Sequence, residues 1–220
     1  MNRYFTNISL SQEELKHFIN QASLLVFPKK HNVFANGDYA NYVYYIERGC
    51  FRTYRLDRDG RQVTLSVRFA KELIGIAEVM LDSPRKCFAE TLETSCVYAI
   101  AKEDFLKLMQ EDVEFAMKIN QILSSRLRQI ENNFYELACY NIVGRLAGFF
   151  QLLAVKCGRK HPEGILLDIR LTHQDFANCV GATRQSVTQI LGLMKKENVI
   201  KIEDKQIIIC DMEKLESYIN

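Results

Sequence analysis

The 220-residue chain has no apolar stretch approaching the ~18 uninterrupted residues that a membrane span needs. Its opening, MNRYFTNISLSQEELKHF, lacks an apolar core between a basic head and a small-residue cleavage site. That is not the pattern of a signal peptide, so a cytoplasmic protein with no membrane partner is expected. The seven cysteines (Cys50, Cys87, Cys96, Cys139, Cys157, Cys179, Cys210) contain no C-x-x-C, and their odd number excludes a full disulfide framework. In a reducing compartment such thiols act as small buried hydrophobes. The four histidines (His17, His31, His161, His173) include no pair at metal-ligand spacing, so no metal site is expected. P-loop, G-x-S-x-G and H-E-x-x-H motifs are missing, as is the H-x-H that a cupin-like enzyme would need, which points away from catalysis. Charge of one sign is scarce too. The net charge is +2, and residues 168–220 hold seven Lys or Arg against eight Asp or Glu. Bulk basicity therefore makes no case for nucleic acid here, and only local geometry can.

What is there is an ordinary globular composition, 48% apolar and 25% charged, long enough for one large domain or two modest ones. From about residue 24 to 100 the chain reads as short strands. Residues 42–46 are β-rich, Arg48-Gly49 interrupts, and 50–56 resume. Asp57-Arg58-Asp59-Gly60 makes a polar bend before Val63, Leu65 and Val67 alternate with polar neighbours, a hairpin signature. Strands at this spacing predict a sandwich or barrel.

The period then changes. Asn120, Leu123, Leu127, Ile130, Phe134 and Leu137 are spaced 3, 4, 3, 4 and 3, a heptad seam in a stretch without Gly or Pro. One helix of roughly 25 residues, about 38 Å long, is predicted over 112–138. Its narrow apolar seam needs a partner, either the β domain of its own chain or the same helix of a second subunit.

The final third predicts an amphipathic helix over 141–156 stopped near Gly158, a polar loop at 160–163, and a closing β-wing of 199–202 and 207–210. Between them lies IRLTHQDFANCVGATRQSVTQILGLMKKEN. Thr172 caps a helix with Asp175 three residues on, Gly181 permits a turn, and Thr183 caps a second helix starting at Arg184. Val187, Ile190, Leu191 and Met194 share one face of that helix. Arg184, Gln185, Thr188 and Gln189 lie toward the other. This is the helix-turn-helix pattern, whose second helix enters the major groove. Gln185 and Gln189 suit the bidentate edge of adenine, and Arg184 suits guanine or phosphate. Thr172, Thr183, Thr188, Lys201 and Lys205 are candidate phosphate contacts.

Over nearly its whole length the chain resembles the Crp/Fnr superfamily of transcription regulators. The resemblance is carried by VGATRQSVTQILGLMKKENVI, NIVGRLAGFFQLLA, NGDYANYVYYIERG and LDRDGRQVTL. It implies an α+β architecture: an N-terminal β-roll of the double-stranded, jelly-roll-like type, a long dimerisation helix and a C-terminal winged helix-turn-helix. The expected division is 1–110, 111–138 and 139–220. It further implies a homodimer joined along Leu123, Leu127, Ile130, Phe134 and Leu137, a palindromic double-stranded DNA operator, and RNA polymerase as a partner if the protein activates.

The departures bear on the effector. Cyclic-nucleotide-binding members place a glutamate after the cassette glycine and an Arg-Ser pair further on. In LIGIAEVMLDSPRKCFAET, Ile76 stands after Gly75 and Lys86-Cys87 at the Arg-Ser position. Isoleucine accepts no ribose hydroxyl, and lysine is a point charge rather than a fork, so cyclic AMP is not the expected ligand. The oxygen-sensing members' N-terminal cysteine group is missing as well, since no cysteine precedes Cys50. The chain looks closest to members that sense small organic anions or have no identified ligand, such as the halorespiration-type regulators. An unidentified small effector, a small organic anion among the candidates, is expected between Gly75, Ile76, Arg85, Lys86 and Cys87 of the β domain and Leu123, Arg126 and Leu127 of the helix. The alternative is a ligand-binding protein whose helix-turn-helix no longer binds DNA.

Overall fold

A computed structural model describes residues 8–219. The chain divides into two compact units, one running to Arg55 and over Ser66–Asn133, the other comprising Leu56–Leu65 and Phe134–Asn220. Residues 1–7, read above for a leader, lie outside the described residues.

In the first unit α1 (Gln12–Ile19) leads into β1 (Ala22–Phe27), β2 (Asn32–Phe34), β3 (Tyr42–Arg48), β4 (Cys50–Leu56), β5 (Gln62–Phe69) and β6 (Leu73–Ile74). Helix α2 (Ile76–Met80), strands β7 (Phe88–Thr91) and β8 (Ser95–Ala101), and helix α3 (Lys102–Glu111) follow. The strands form two four-stranded sheets in the orders β1-β8-β3-β6 and β2-β7-β4-β5. The registers are antiparallel. Of the alternation predicted in β5 only Val67 is buried, while Val63 and Leu65 are about half exposed, so that end of the hairpin does not face the core. Phe34, Ile46, Phe51, Ala89 and Val97 fill one part of it. Val43, Leu73, Ile76, Phe105 and Phe115 fill another, where the helices close over the sheets.

A single helix, α4 (Val113–Cys139), covers the stretch where the heptad seam predicted one. Asp112 Oδ1 accepts the Phe115 amide at 2.9 Å and starts it. Phe115, Ile119 and Ile122, spaced four and three, are buried in the first unit's core. Beyond them the seam emerges: Leu127, Ile130, Phe134 and Leu137 are 58–73% exposed in the single chain. Both partners weighed for the helix thus bear on it, its first half packing on its own β domain and its second half offering an open apolar stripe.

The second unit contains α5 (Ile142–Cys157), β9 (Gly158–His161), β10 (Gly164–Leu167), α6 (His173–Val180), α7 (Arg184–Lys196), β11 (Ile200–Glu203), β12 (Gln206–Ile209) and α8 (Met212–Ser217). Its sheet has the order β11-β12-β10-β9, so the wing is four strands rather than two. Residues 160–163, expected as a loop, instead lie in the β9–β10 hairpin. The reason is non-local: β10 pairs with β12, and β9 becomes an edge strand that tolerates a polar sequence. Gly158 also differs in its reason. Its φ is −74°, which any residue adopts, but a Cβ there would stand 2.2 Å from the Ala154 carbonyl oxygen.

Candidate nucleic-acid interface and effector site

The local chemistry of the helix-turn-helix follows from its caps. Thr172 Oγ1 accepts the Asp175 amide at 3.1 Å while the Asp175 carboxylate accepts the Thr172 amide at 2.9 Å, a closed capping box. Gly181 ends α6 at φ +63°, the left-handed conformation in which glycine replaces a strained side chain. Thr183 then accepts the Ser186 amide at 3.0 Å and starts α7. Val187, Ile190, Leu191 and Met194 are buried, and Arg184, Gln185, Thr188 and Gln189 are exposed.

Two threonine hydroxyls have already committed their protons. Thr172 Oγ1 donates to Asp175 at 2.8 Å, and Thr188 Oγ1 donates to the Arg184 carbonyl at 2.9 Å. Toward a phosphate they are left as acceptors, whereas the Thr183–Ser186 hydroxyl pair, 2.8 Å apart with either oxygen able to donate, uses one proton between them and keeps the other available. Lys201 is compensated as well. It lies 2.7 Å from Glu163 and 2.8 Å from Glu203, and these two carboxylates raise its pKa above the ordinary lysine value. Lys205, at the wing tip with φ +65°, is exposed.

The sequence reading missed two residues. His173, the first residue of α6, places Nδ1 2.8 Å from Thr188 Oγ1 and lines the same concave face as Thr172, Gln174, Arg184 and Lys205, a cleft of about 540 Å³. Its place directly after the N-cap was the available signal. Arg145 of α5 donates to the carbonyls of Val180 at 2.9 Å and Tyr140 at 2.9 Å, pinning the end of α6 with a cation where the helix dipole is negative. Nothing local in the sequence marks that contact.

In the first unit, Gly75 has φ +82° at the start of α2, and Ile76 is buried. Arg85 is only 1% exposed and folds inward. Its guanidinium donates to the carbonyls of Gly75 at 2.7 Å and Tyr42 at 2.5 Å, lies 3.4 Å from Glu78, and sits 4.3 Å over the Phe34 ring. A Cβ on Gly75 would meet that guanidinium at 3.0 Å, so glycine and arginine are matched in shape. Lys86 is exposed. Cys87 is half-buried, and burial, with the Glu78 charge, pushes its thiol up to about 11. Leu123 is half-buried and Leu127 exposed, while Arg126 turns toward the β domain and donates to the Leu73 carbonyl.

Among the described residues no helix is long and apolar enough to cross a membrane, and no group of three His, Cys, Asp or Glu is disposed to hold a metal ion.

Two family models match the chain. A cyclic nucleotide-binding domain matches residues 24–112, and a Crp-like helix-turn-helix domain matches residues 144–218. The global nitrogen regulator of Synechococcus elongatus is 29% identical over 185 residues, 83% of each protein. The CRP-like cAMP-activated global transcriptional regulator of Mycobacterium tuberculosis is 26% identical over 189 residues, 86% of this chain and 84% of that protein. Among solved structures, the c-di-GMP responsive global regulator CLP of Xanthomonas campestris superposes with a TM-score of 0.79 at 20% identity, covering 91% of this chain and all of that one, and shares the α+β fold.

Proposed function

This chain belongs to the Crp/Fnr family of transcription regulators, and from that premise we propose that it is a homodimer that binds a two-fold symmetric DNA operator under the control of a small effector held in its β-roll domain. The observation that carries the reading is the two-sided recognition helix. Four apolar side chains of α7 are sunk into the second unit while Arg184, Gln185, Thr188 and Gln189 project outward from it. A helix so docked offers a base-reading face at the major groove.

Gln185 and Gln189 read base edges and Arg184 contacts guanine or phosphate. Thr183 and Lys205 donate to phosphates, with Thr172, Thr188 and Lys201 closing the same surface. Dimerisation runs along Leu123, Leu127, Ile130, Phe134 and Leu137, which gives the operator its symmetry. RNA polymerase is the further partner where the protein activates. The relatives include one activated by cAMP and one responsive to c-di-GMP, so effectors vary among them. In this chain Ile76 and Lys86-Cys87 replace the cyclic-nucleotide cassette, which speaks for a different small ligand. Such a ligand acts only through differential affinity for two arrangements of the DNA-binding domains, with the flexure placed at residues 135–141.

Titrating the full-length protein into labelled duplexes over a range of salt concentrations tests the reading. Affinity should fall steeply and linearly in log salt, because phosphate contacts release counterions. A dimer that ignores every duplex at low salt would leave the second reading, a ligand-binding protein with an inert helix-turn-helix. The double carboxylate compensation of Lys201 is the one observation in that reading's favour.

A further inference from the structure

His173 opens α6 and lines the concave face that α6, α7 and the wing share, together with Thr172, Gln174, Arg184 and Lys205. One edge of its ring is already engaged, with Nδ1 2.8 Å from Thr188 Oγ1. The Thr188 hydroxyl has a single proton. It goes to the Arg184 carbonyl at 2.9 Å, the bond that a threonine inside a helix makes to the residue four before it. Toward the ring Thr188 is therefore an acceptor, and the proton of a neutral His173 sits on Nδ1. The other ring nitrogen, Nε2, then carries a lone pair. The Thr172 hydroxyl, the preceding side chain, has likewise given its proton, to Asp175 at 2.8 Å.

A DNA phosphate oxygen is an acceptor only. Against a neutral His173 it meets lone pair with lone pair, whereas an imidazolium offers it a charge-assisted N–H donor. The other charges of the cleft suit an anion. Arg184 from α7 and Lys205 from the wing line it, and among the described residues no carboxylate does. Asp175, the acidic residue in the first turn of α6, is buried, and its carboxylate accepts both the amide and the hydroxyl of Thr172.

We propose that DNA binding by this chain takes up a proton in each subunit, on His173 Nε2, which then donates to a backbone phosphate seated between Arg184 and Lys205. The inference rests on the DNA-binding reading above and adds to it a contact and a pH dependence. The proton comes from solvent, and the ring passes from imidazole to imidazolium. The Nδ1 proton and its bond to Thr188 are the same in both forms, so α7 does not rearrange. Because the charged ring favours the complex, affinity is greatest at low pH. It falls as pH rises through the imidazole range, near ~6.5 for an ordinary histidine, by up to about tenfold per pH unit for each proton taken up.

The test titrates the full-length protein into a labelled duplex of arbitrary sequence, about 30 base pairs long, at fixed low salt from about pH 6 to about pH 8.5. Calorimetry near neutral pH in two buffers of different ionisation enthalpy counts the protons. The wild type is expected to bind at least tenfold more tightly at the acid end, with net proton uptake. His173→Gln should lose most of that pH dependence, its deficit against the wild type being largest at acid pH. His173→Arg, permanently charged, should hold its affinity across the range. A residue that only braced α7 would not be rescued in this way, and the arginine variant stands in should the glutamine protein fail to fold. His161→Gln, at the other histidine of the same unit, should keep the wild-type slope. A flat wild-type profile overturns the assignment, as does a slope that persists in both His173 variants or vanishes in His161→Gln. A protein that ignores the duplex at both ends of the range counts against the DNA-binding reading and takes this inference with it. Binding without His173-dependent proton uptake removes this inference alone.

Discussion

His173 Nδ1 lies 2.8 Å from Thr188 Oγ1, joining the first residue of α6 to the outer face of α7. Since the Thr188 hydroxyl donates to the Arg184 carbonyl at 2.9 Å, it accepts from the ring, which fixes the proton on Nδ1 and leaves Nε2 for an outside partner. Replacing His173 by alanine removes this brace. Folding stability should fall by about 1 kcal/mol, the net worth of one hydrogen bond, and duplex affinity should fall with it because the outer face of α7 loses its brace. Fluorescence anisotropy with a labelled operator measures it. An unchanged affinity would mean that the brace is incidental.

Gln185 and Gln189 project from α7 without a buried apolar role. Gln185→Ala and Gln189→Ala should each cost about 1–3 kcal/mol at the preferred site and relax the base preference there, leaving non-specific binding untouched. Selection of bound sequences from a random pool, repeated with each variant, reports the change directly.

The two wing lysines should differ. Lys201 is held between Glu163 and Glu203, whereas Lys205 is exposed at the turn. Lys205→Ala should lower the salt slope of DNA binding by about one, and Lys201→Ala by distinctly less. Equal slopes for the two variants would show that the carboxylates release Lys201 on binding.

The exposed half of the α4 seam is the proposed dimer interface. Phe134 is 73% exposed in the single chain, and a charge there opposes any helix pairing. Burying such a side chain contributes about 1.5–3 kcal/mol in each subunit, so Phe134→Glu should shift the protein to monomer at micromolar concentration. Light scattering after gel filtration reads this, with weaker operator binding as the companion effect. A dimer that persists would put the interface elsewhere.

At Gly181 the backbone has φ +63°, yet the nearest atom to an added Cβ is Leu137 Cδ2 at 3.9 Å. Alanine there meets conformational strain but no clash. Gly181→Ala should therefore cost about 1 kcal/mol of stability, seen as a lowered urea midpoint, while DNA binding by the folded fraction is retained.

The helix-turn-helix was legible because every signal in it spans three or four residues. Thr172 with Asp175, Thr183 before Arg184, and the sunken set from Val187 to Met194 depend only on helical geometry. The strands of the β domain were legible from their β-branched and aromatic residues and the Asp-Gly bend, but not which residues face the core, since Val63 and Leu65 stay exposed. The candidate effector site was legible only in part. Gly75 was singled out, but the inward fold of Arg85 was not, because a basic pair after a proline reads as a solvated turn. Residues 160–163 were read as a loop because they are polar; their place in a hairpin comes from the pairing of β9 with β10, which itself pairs with β12.

The sequence by itself determined where α6 and α7 start, which face of α7 turns outward, and that α4 carries an apolar seam. Each of these is set by contacts within one or two turns, where backbone geometry leaves little choice. Tertiary structure decided the charges: Arg85 meets Tyr42 across 43 residues, Arg68 meets Gln129 across 61, and Lys201 meets Glu163 across 38. An ionic side chain takes its role from whichever group lies opposite once the chain has closed on itself, and no local pattern names that group in advance.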